Sequence, residues 1–213
     1  MNRWKLPAAL VALCCTGVPF VGSAQVPSTQ DQLIIDATDE PSSPPRGRGP
    51  FTGSASPGHS PGLPIRLELR IPNGKLRSDG AVLVDFLITN VGTERMTLPV
   101  SVDCRIEPRD ILTLWFSSDA IKDQYLIDQQ TGRPVKLEMV PINTELCGRG
   151  NDPQTFHVLN PNETIRVRAS SPEINPGTHS FTGHAELLRI AHGTSEVAGT
   201  ADAEPVTKTL SPR

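Results

Sequence analysis

The sequence predicts an all-β fold, an antiparallel sandwich or barrel of about eight or nine short strands. Three observations predict it. From residue 63 onward, apolar and polar residues alternate in short runs with period two. Pro, Gly and Asn punctuate those runs at close intervals. No segment sustains a helical period.

Two segments precede the strands. Residues 1–24 read as an export signal. Arg3 and Lys5 form a basic start, an apolar stretch runs from Leu6 to Val21, and Gly22-Ser23-Ala24 offers small residues to a signal peptidase. Cleavage between Ala24 and Gln25 is expected. An uncleaved membrane helix is the alternative, since Leu6–Ala24 is 19 residues long. Pro7 and Pro19 argue against it, and neither Cys14 nor Cys15 follows the small residue that lipidation needs. Residues 25–62 then hold 18 Pro, Gly or Ser in 38 positions. Such a segment buries too little apolar surface to offset its ordering entropy, so a disordered tether is expected. Its one apolar patch, Leu33-Ile34-Ile35, reads as a transient cluster.

The domain is expected over residues 63–213. Ile65, Leu67, Leu69 and Ile71 alternate with Arg66, Glu68 and Arg70, and Pro72-Asn73-Gly74 ends that strand. Ala81–Thr89 is the most apolar run. Val82, Val84, Phe86 and Ile88 share one face, and Leu83 and Leu87 flank Asp85 on the other, so this strand is expected to be central. Asn90-Val91-Gly92 turns the chain into a strand at Met96–Val102. Ile111–Phe116 is another strand, and Ser118 is placed to cap a helical turn up to Lys122. Tyr125–Asp128 and Val135–Met139 read as a hairpin. Thr155–Leu159 and Ile165–Ala169 flank a turn at Asn160–Glu163. Thr178–Ile190 is the last long strand, closed by Ala191-His192-Gly193, and Val206–Leu210 is a final edge strand.

Three of these stretches carry a resemblance. AVLVDFLITNVGTERMTLPV (81–100) resembles the second and third strands of bacterial immunoglobulin-like domains. LNPNETIRVRA (159–169) is similar to their hairpin, and INPGTHSFTGHAELL (174–188) to their closing strand, entered through Pro-Gly. Exported adhesion-type domains and a bacterial proteinase-inhibitor-type domain share the scheme. The resemblance covers most of residues 63–190 and implies an immunoglobulin-like antiparallel β-sandwich. It transfers no functional residue. Trp115 follows Cys104 by only eleven residues, which departs from the spacing of antibody domains.

Export decides how the cysteines read. Cys104 and Cys147 stay in the mature chain, and outside the cytoplasm such a pair reads as a disulfide rather than two buried thiols. Loss of Arg3 and Lys5 takes the formal charge from −3 to −5. That balance argues against nucleic acid and against anionic membrane surfaces. No membrane span is expected after cleavage.

The motifs that resemble chemistry are weak. Gly58-His59-Ser60-Pro61-Gly62 spells a nucleophile elbow, but no buried strand precedes it and Pro61 follows the serine directly. His179 and His184 fall on opposite faces of one strand, whereas His184 and Glu186 share a face and form at most a two-ligand cation contact. No catalytic residue, metal site or cofactor is expected.

The function expected is a non-enzymatic, exported binding or scaffolding domain with a protein partner in the envelope or outside the cell. An inhibitor or chaperone-like sandwich is the alternative, and an envelope enzyme is third. Loops bind best when held rigidly, so the candidate surface is Asp103–Asp110 with Asn143–Pro153, which the Cys104–Cys147 disulfide would fasten together.

Overall fold

A computed structural model describes residues 32–38, 62–102, 110–121, 125–127, 134–136, 140–191 and 194–213. The chain divides into Met1–Asp31, which lies outside those residues, and Gln32–Arg213. The Ala24–Gln25 cleavage point, Ser60 and Cys104 also lie outside them.

The regular secondary structure of the described residues is almost all strand. The strands are β1 (Ile34–Asp36), β2 (Ile65–Arg70), β3 (Leu83–Asn90), β4 (Met96–Pro99), β5 (Asp110–Ser118), β6 (Tyr125–Ile127), β7 (Pro134–Lys136), β8 (Val140–Gly148), β9 (Phe156–Leu159), β10 (Thr164–Ser170), β11 (Gly177–Ala191), β12 (Thr194–Asp202) and β13 (Val206–Leu210). One 3-10 turn spans Pro153–Thr155. The all-β class is as expected, but thirteen strands replace the expected eight or nine. β8 and β12 account for much of the difference. Residues 143–148 continue β8 instead of forming a loop. β11 ends at Ala191, where an end was expected, and β12, which was not expected, pairs back along it.

Two sheets carry the core. One has the order β1-β10-β3-β2 and the other β12-β11-β5-β8, with β13 pairing β11 beyond the end of β12. β1 pairs parallel to β10, and the remaining ladders of both sheets are antiparallel. β4 pairs β9, and β6 pairs β7 as the hairpin expected. Between β12 and β13 lies Pro205, which has no N–H to give to β11. Thr182 Oγ1 donates to the Ala203 carbonyl at 3.0 Å across this break.

Period two sorts each strand into a core face and an outer face. Leu67 and Leu69 of β2, Phe86 and Ile88 of β3 and Val167 of β10 share one apolar cluster with Leu114 and Phe116 of β5, Leu146 of β8 and Phe181 of β11. Phe116 and Phe181 stack with ring centroids 5.7 Å apart. β3 is central, as its two apolar faces predict, with Asp85 buried on its outer face.

The leader is where the structure departs most from expectation. Residues 32–38 do not belong to a tether. Ile35 and Ala37 are buried, and Ile35 joins the core cluster. The apolar patch is a strand because β10 offers it an edge and a gap in the core.

The turn at Asn160–Glu163 is present, but its flanking strands do not pair. β9 pairs β4, while β10 crosses to β3. Buried Asn90 fixes the crossing. Its Nδ2 donates to the Glu94 carbonyl at 2.8 Å and to the Leu159 carbonyl at 2.9 Å, and its Oδ1 accepts from Gly92 N at 2.9 Å. Replacing Asn90 by Ala orphans buried groups, so a loss of about 2 kcal/mol is expected in urea unfolding. Asn90→Asp should cost no less, because it sets an acceptor against two carbonyls.

Glu163 closes the same turn. One carboxylate oxygen accepts from Asn160 N at 2.9 Å and Asn160 Nδ2 at 2.7 Å, and the other meets His157 Nε2 at 2.8 Å. The bond from the Asn160 backbone, with help from His157 and the Asn160 side chain, holds its carboxyl below the ordinary value. The stability this contributes is present above the unfolded carboxyl pKa and is lost as pH falls through the folded one.

Candidate functional site

Of the two segments expected to form a binding surface, only the last residue of the first, Asp110, is among the described residues. Residues 103–109 lie outside the described set, but Asp110 opens β5 and faces an open cleft of about 490 Å³ with Gly150, Asn151 and Pro153. Thr97, Phe156 and Val158 complete its lining. The β4–β9 ribbon supplies these three, with Thr97 and Val158 directly opposite. Sequence reasoning missed this wall, since nothing local signals that β9 leaves β10 to pair with β4.

The cleft is built on short, braced backbone. Asp152 caps the 3-10 turn by accepting from Gln154 N at 3.1 Å. Thr155 Oγ1 donates to the Asp152 carbonyl at 2.7 Å and accepts from Arg149 N at 2.8 Å. The Phe156 ring lies where a side chain at position 148 would project, so glycine is required there. Gly148 is paired with Asp110. An aromatic ring therefore sits beside a carboxylate at the cleft floor. Asp110 is only loosely engaged, with Arg189 Nε 3.8 Å from Oδ1. Val158 is 49% exposed, an apolar side chain left to solvent at the rim.

Cys147 is fully buried on β8 and is not a free thiol. Its backbone pairs with Ser101, just before the segment that contains Cys104.

A second cluster lies on the outer face of the five-stranded sheet. His184 and Glu186 share that face, as period two requires, and His179 lies on the other. His184 is in register with Trp115 on β5 and Asp202 on β12, and its Nδ1 lies 2.7 Å from Asp202 Oδ1. His179 Nδ1 lies 3.4 Å from Asp119. Asp202 was not singled out in the sequence, because its pairing needs the β11–β12 register. Among the described residues, no group of three His, Cys, Asp or Glu side chains stands at metal-binding spacing.

Burial pushes the Glu186 carboxyl above its ordinary value, with His184 and Trp115 partly opposing. A raised folded pKa means the folded state holds the proton more tightly, so this residue's contribution falls as pH rises from the unfolded value through the folded one. Glu186→Gln should therefore match the parent near pH 4 and melt progressively higher than it toward pH 7. Thermal scans across that range check it.

No family model matches the chain, and no curated protein matches it. Among solved structures it is similar to the Pseudomonas fluorescens alkylpurine DNA glycosylase AlkC bound to DNA containing an abasic site analogue, with 11% identity and a TM-score of 0.29 over 67% of this chain. The chain spans 30% of that enzyme's length. It is also similar to a structural genomics target, SoR45, with 13% identity and a TM-score of 0.33, covering 71% of this chain and 90% of that one. The first finding corrects two expectations. A non-enzyme, and an envelope-protein partner with no nucleic-acid contact, were read from composition and pattern, yet that neighbour is an enzyme bound to DNA. The physical weakness of the charge argument is that it averages over the molecule. The four-stranded sheet gathers Arg66, Arg70, Arg166 and Arg168 on one face, interleaved there with Glu68, Asp85 and Asp36. A TM-score of 0.29 transfers neither glycosylase chemistry nor DNA to this chain.

Proposed function

We propose that the chain is an exported binding or scaffolding domain, built on an immunoglobulin-like β-sandwich and presenting the cleft between Asp110 and Val158 to its ligand. The carrying observation is the cleft lining: a braced turn, an aromatic floor and an exposed apolar rim, all within residues 150–158, meet a weakly engaged carboxylate at Asp110 and the wall at Thr97. Open concave sites with apolar walls and a few convergent polar groups are where ligands bind. Two sheets sharing one apolar cluster support the sandwich. The proposed Cys104–Cys147 disulfide would anchor residues 103–109 to β8 beside the cleft, and closing that loop contributes up to about 4 kcal/mol in the chain-entropy picture.

The test places a photo-cross-linking residue at Val158 in the native host, with a matched control at Val91, another exposed apolar position. Capture from Val158 but not from Val91, abolished by Phe156→Ser, is the expected result. Equal capture from both positions rejects the cleft. N-terminal sequencing of the mature protein should read Gln25. Mass analysis without reductant should find Cys104 and Cys147 joined.

A further inference from the structure

We propose that the edge of β10 occupied by β1 is a strand-acceptor site, and that residues 32–38 of a second copy fill it in place of the chain's own segment at high concentration. The segment is a complete recognition unit. The backbone pairs through Arg166 N to the Leu33 carbonyl and Ala37 N to the Arg168 carbonyl, both at 2.9 Å. Ile35 and Ala37 point into the core, and Ile35 is only 9% exposed. Two arginines of β10 read the segment's polar side: Arg166 Nη2 donates to Gln32 Oε1 at 3.0 Å, and Arg168 is in register with Asp36. Thr38 holds the Asp36 carboxylate through its hydroxyl at 2.7 Å and its N–H at 3.1 Å. Main-chain bonds for affinity, alternate side chains for specificity and a charge match together describe strand addition to a sheet edge.

Chain connection does not dictate whose edge is filled. β2 lies at the opposite edge of the same sheet. The segment joins the rest of the fold only through residues 39–61, which are 23 in number. Those residues can span up to about 80 Å, against roughly 15 Å across four strands. That reach covers the chain's own edge and a neighbour's alike. Own-edge pairing wins in dilute solution through effective concentration alone, an advantage that fades at millimolar density. Release would uncover Ile35, Ala37 and the core they cover, so a vacated edge favours being filled again by this segment or by a copy of it.

The experiment separates donor from acceptor in the full mature chain. An isotope-labelled acceptor carries Ile35→Asp and Ala37→Asp, so its own segment cannot dock. The donor is an unlabelled chain with Arg166→Pro, which removes the N–H that meets Leu33. At about 1 mM the donor should shift the Arg166, Val167 and Arg168 amides of the acceptor saturably. A synthetic peptide of residues 31–39 should shift the same amides. An Ile35→Asp version of either should bind about tenfold more weakly or less, because it forces a charge into the core. Absence of any shift, or shifts indifferent to Ile35→Asp, overturns the proposal. If the acceptor does not fold, a protease site inserted at residue 50 and cut after folding serves instead. The freed segment must then exchange with labelled peptide, and failure to exchange also overturns it.

Discussion

Replacing Phe86 by Ala should remove about 3–5 kcal/mol of stability, a large share of what a domain of this size has. Phe86 is fully buried on the central strand of the four-stranded sheet. Across the core its ring meets Gly183 on β11, where a Cβ would lie 2.8 Å from Phe86 Cε1. The two sheets thus interlock at one large and one absent side chain. Truncating Phe86 opens a cavity that strands held in their ladders cannot collapse to fill. Gly183→Ala presses from the other side and should cost about 1–3 kcal/mol by overpacking. The pair is in contact, so the effects should not add. Phe86→Leu combined with Gly183→Ala should be less damaging than the two single losses summed. Urea unfolding of the four proteins decides it, and strict additivity would reject the interlock.

How far the fold could be read depended on where each strand's partner lies. β2 and β3 were legible because burial of one or both faces writes itself into their own residues, Ile65–Arg70 and Leu83–Asn90. Asp85 stood out as a charge in an apolar run, and its buried place on the outer face follows from the same period. β1 was illegible because Ile34 pairs with Arg166, a partner far along the chain, and the local composition around it favours disorder. β12 escaped because Thr194–Asp202 is poor in large apolar residues, so its strand state comes from β11. The cleft was half legible. Asp110 and Gly150–Pro153 were readable as turn and loop chemistry, while Phe156 and Val158 join them only through the register of β9 on β4. Local pattern reports which face is wet, and it is silent about which strand lies alongside.

The second large effect is expected at Arg168, where the charges of the four-stranded sheet converge. Asp36, Arg168, Asp85 and Arg70 stand in one row across β1, β10, β3 and β2. Arg168 grips Asp85 with two bonds, Nε to Oδ1 at 2.8 Å and Nη2 to Oδ2 at 3.0 Å. Asp85, helped by Asp36, raises the guanidinium pKa above its ordinary value. The Asp85 side chain is only 6% exposed and that of Arg168 is 31% exposed. Arg168→Met therefore strands a carboxylate that water reaches poorly, and should cost about 2–4 kcal/mol near neutral pH, below the full range for a wholly buried pair. Adding Asp85→Asn removes the stranded charge and should restore part of that loss, giving a coupling well outside the error of a double-mutant cycle. Hydrogen exchange supplies a second reading. Because Arg168 also faces Asp36, Arg168→Met should speed exchange at the Ala37 amide more than at the Glu68 amide of β2, which lies in the ladder to β3. Equal acceleration at both would mean that Arg168 supports the sheet as a whole and has no particular hold on the added strand.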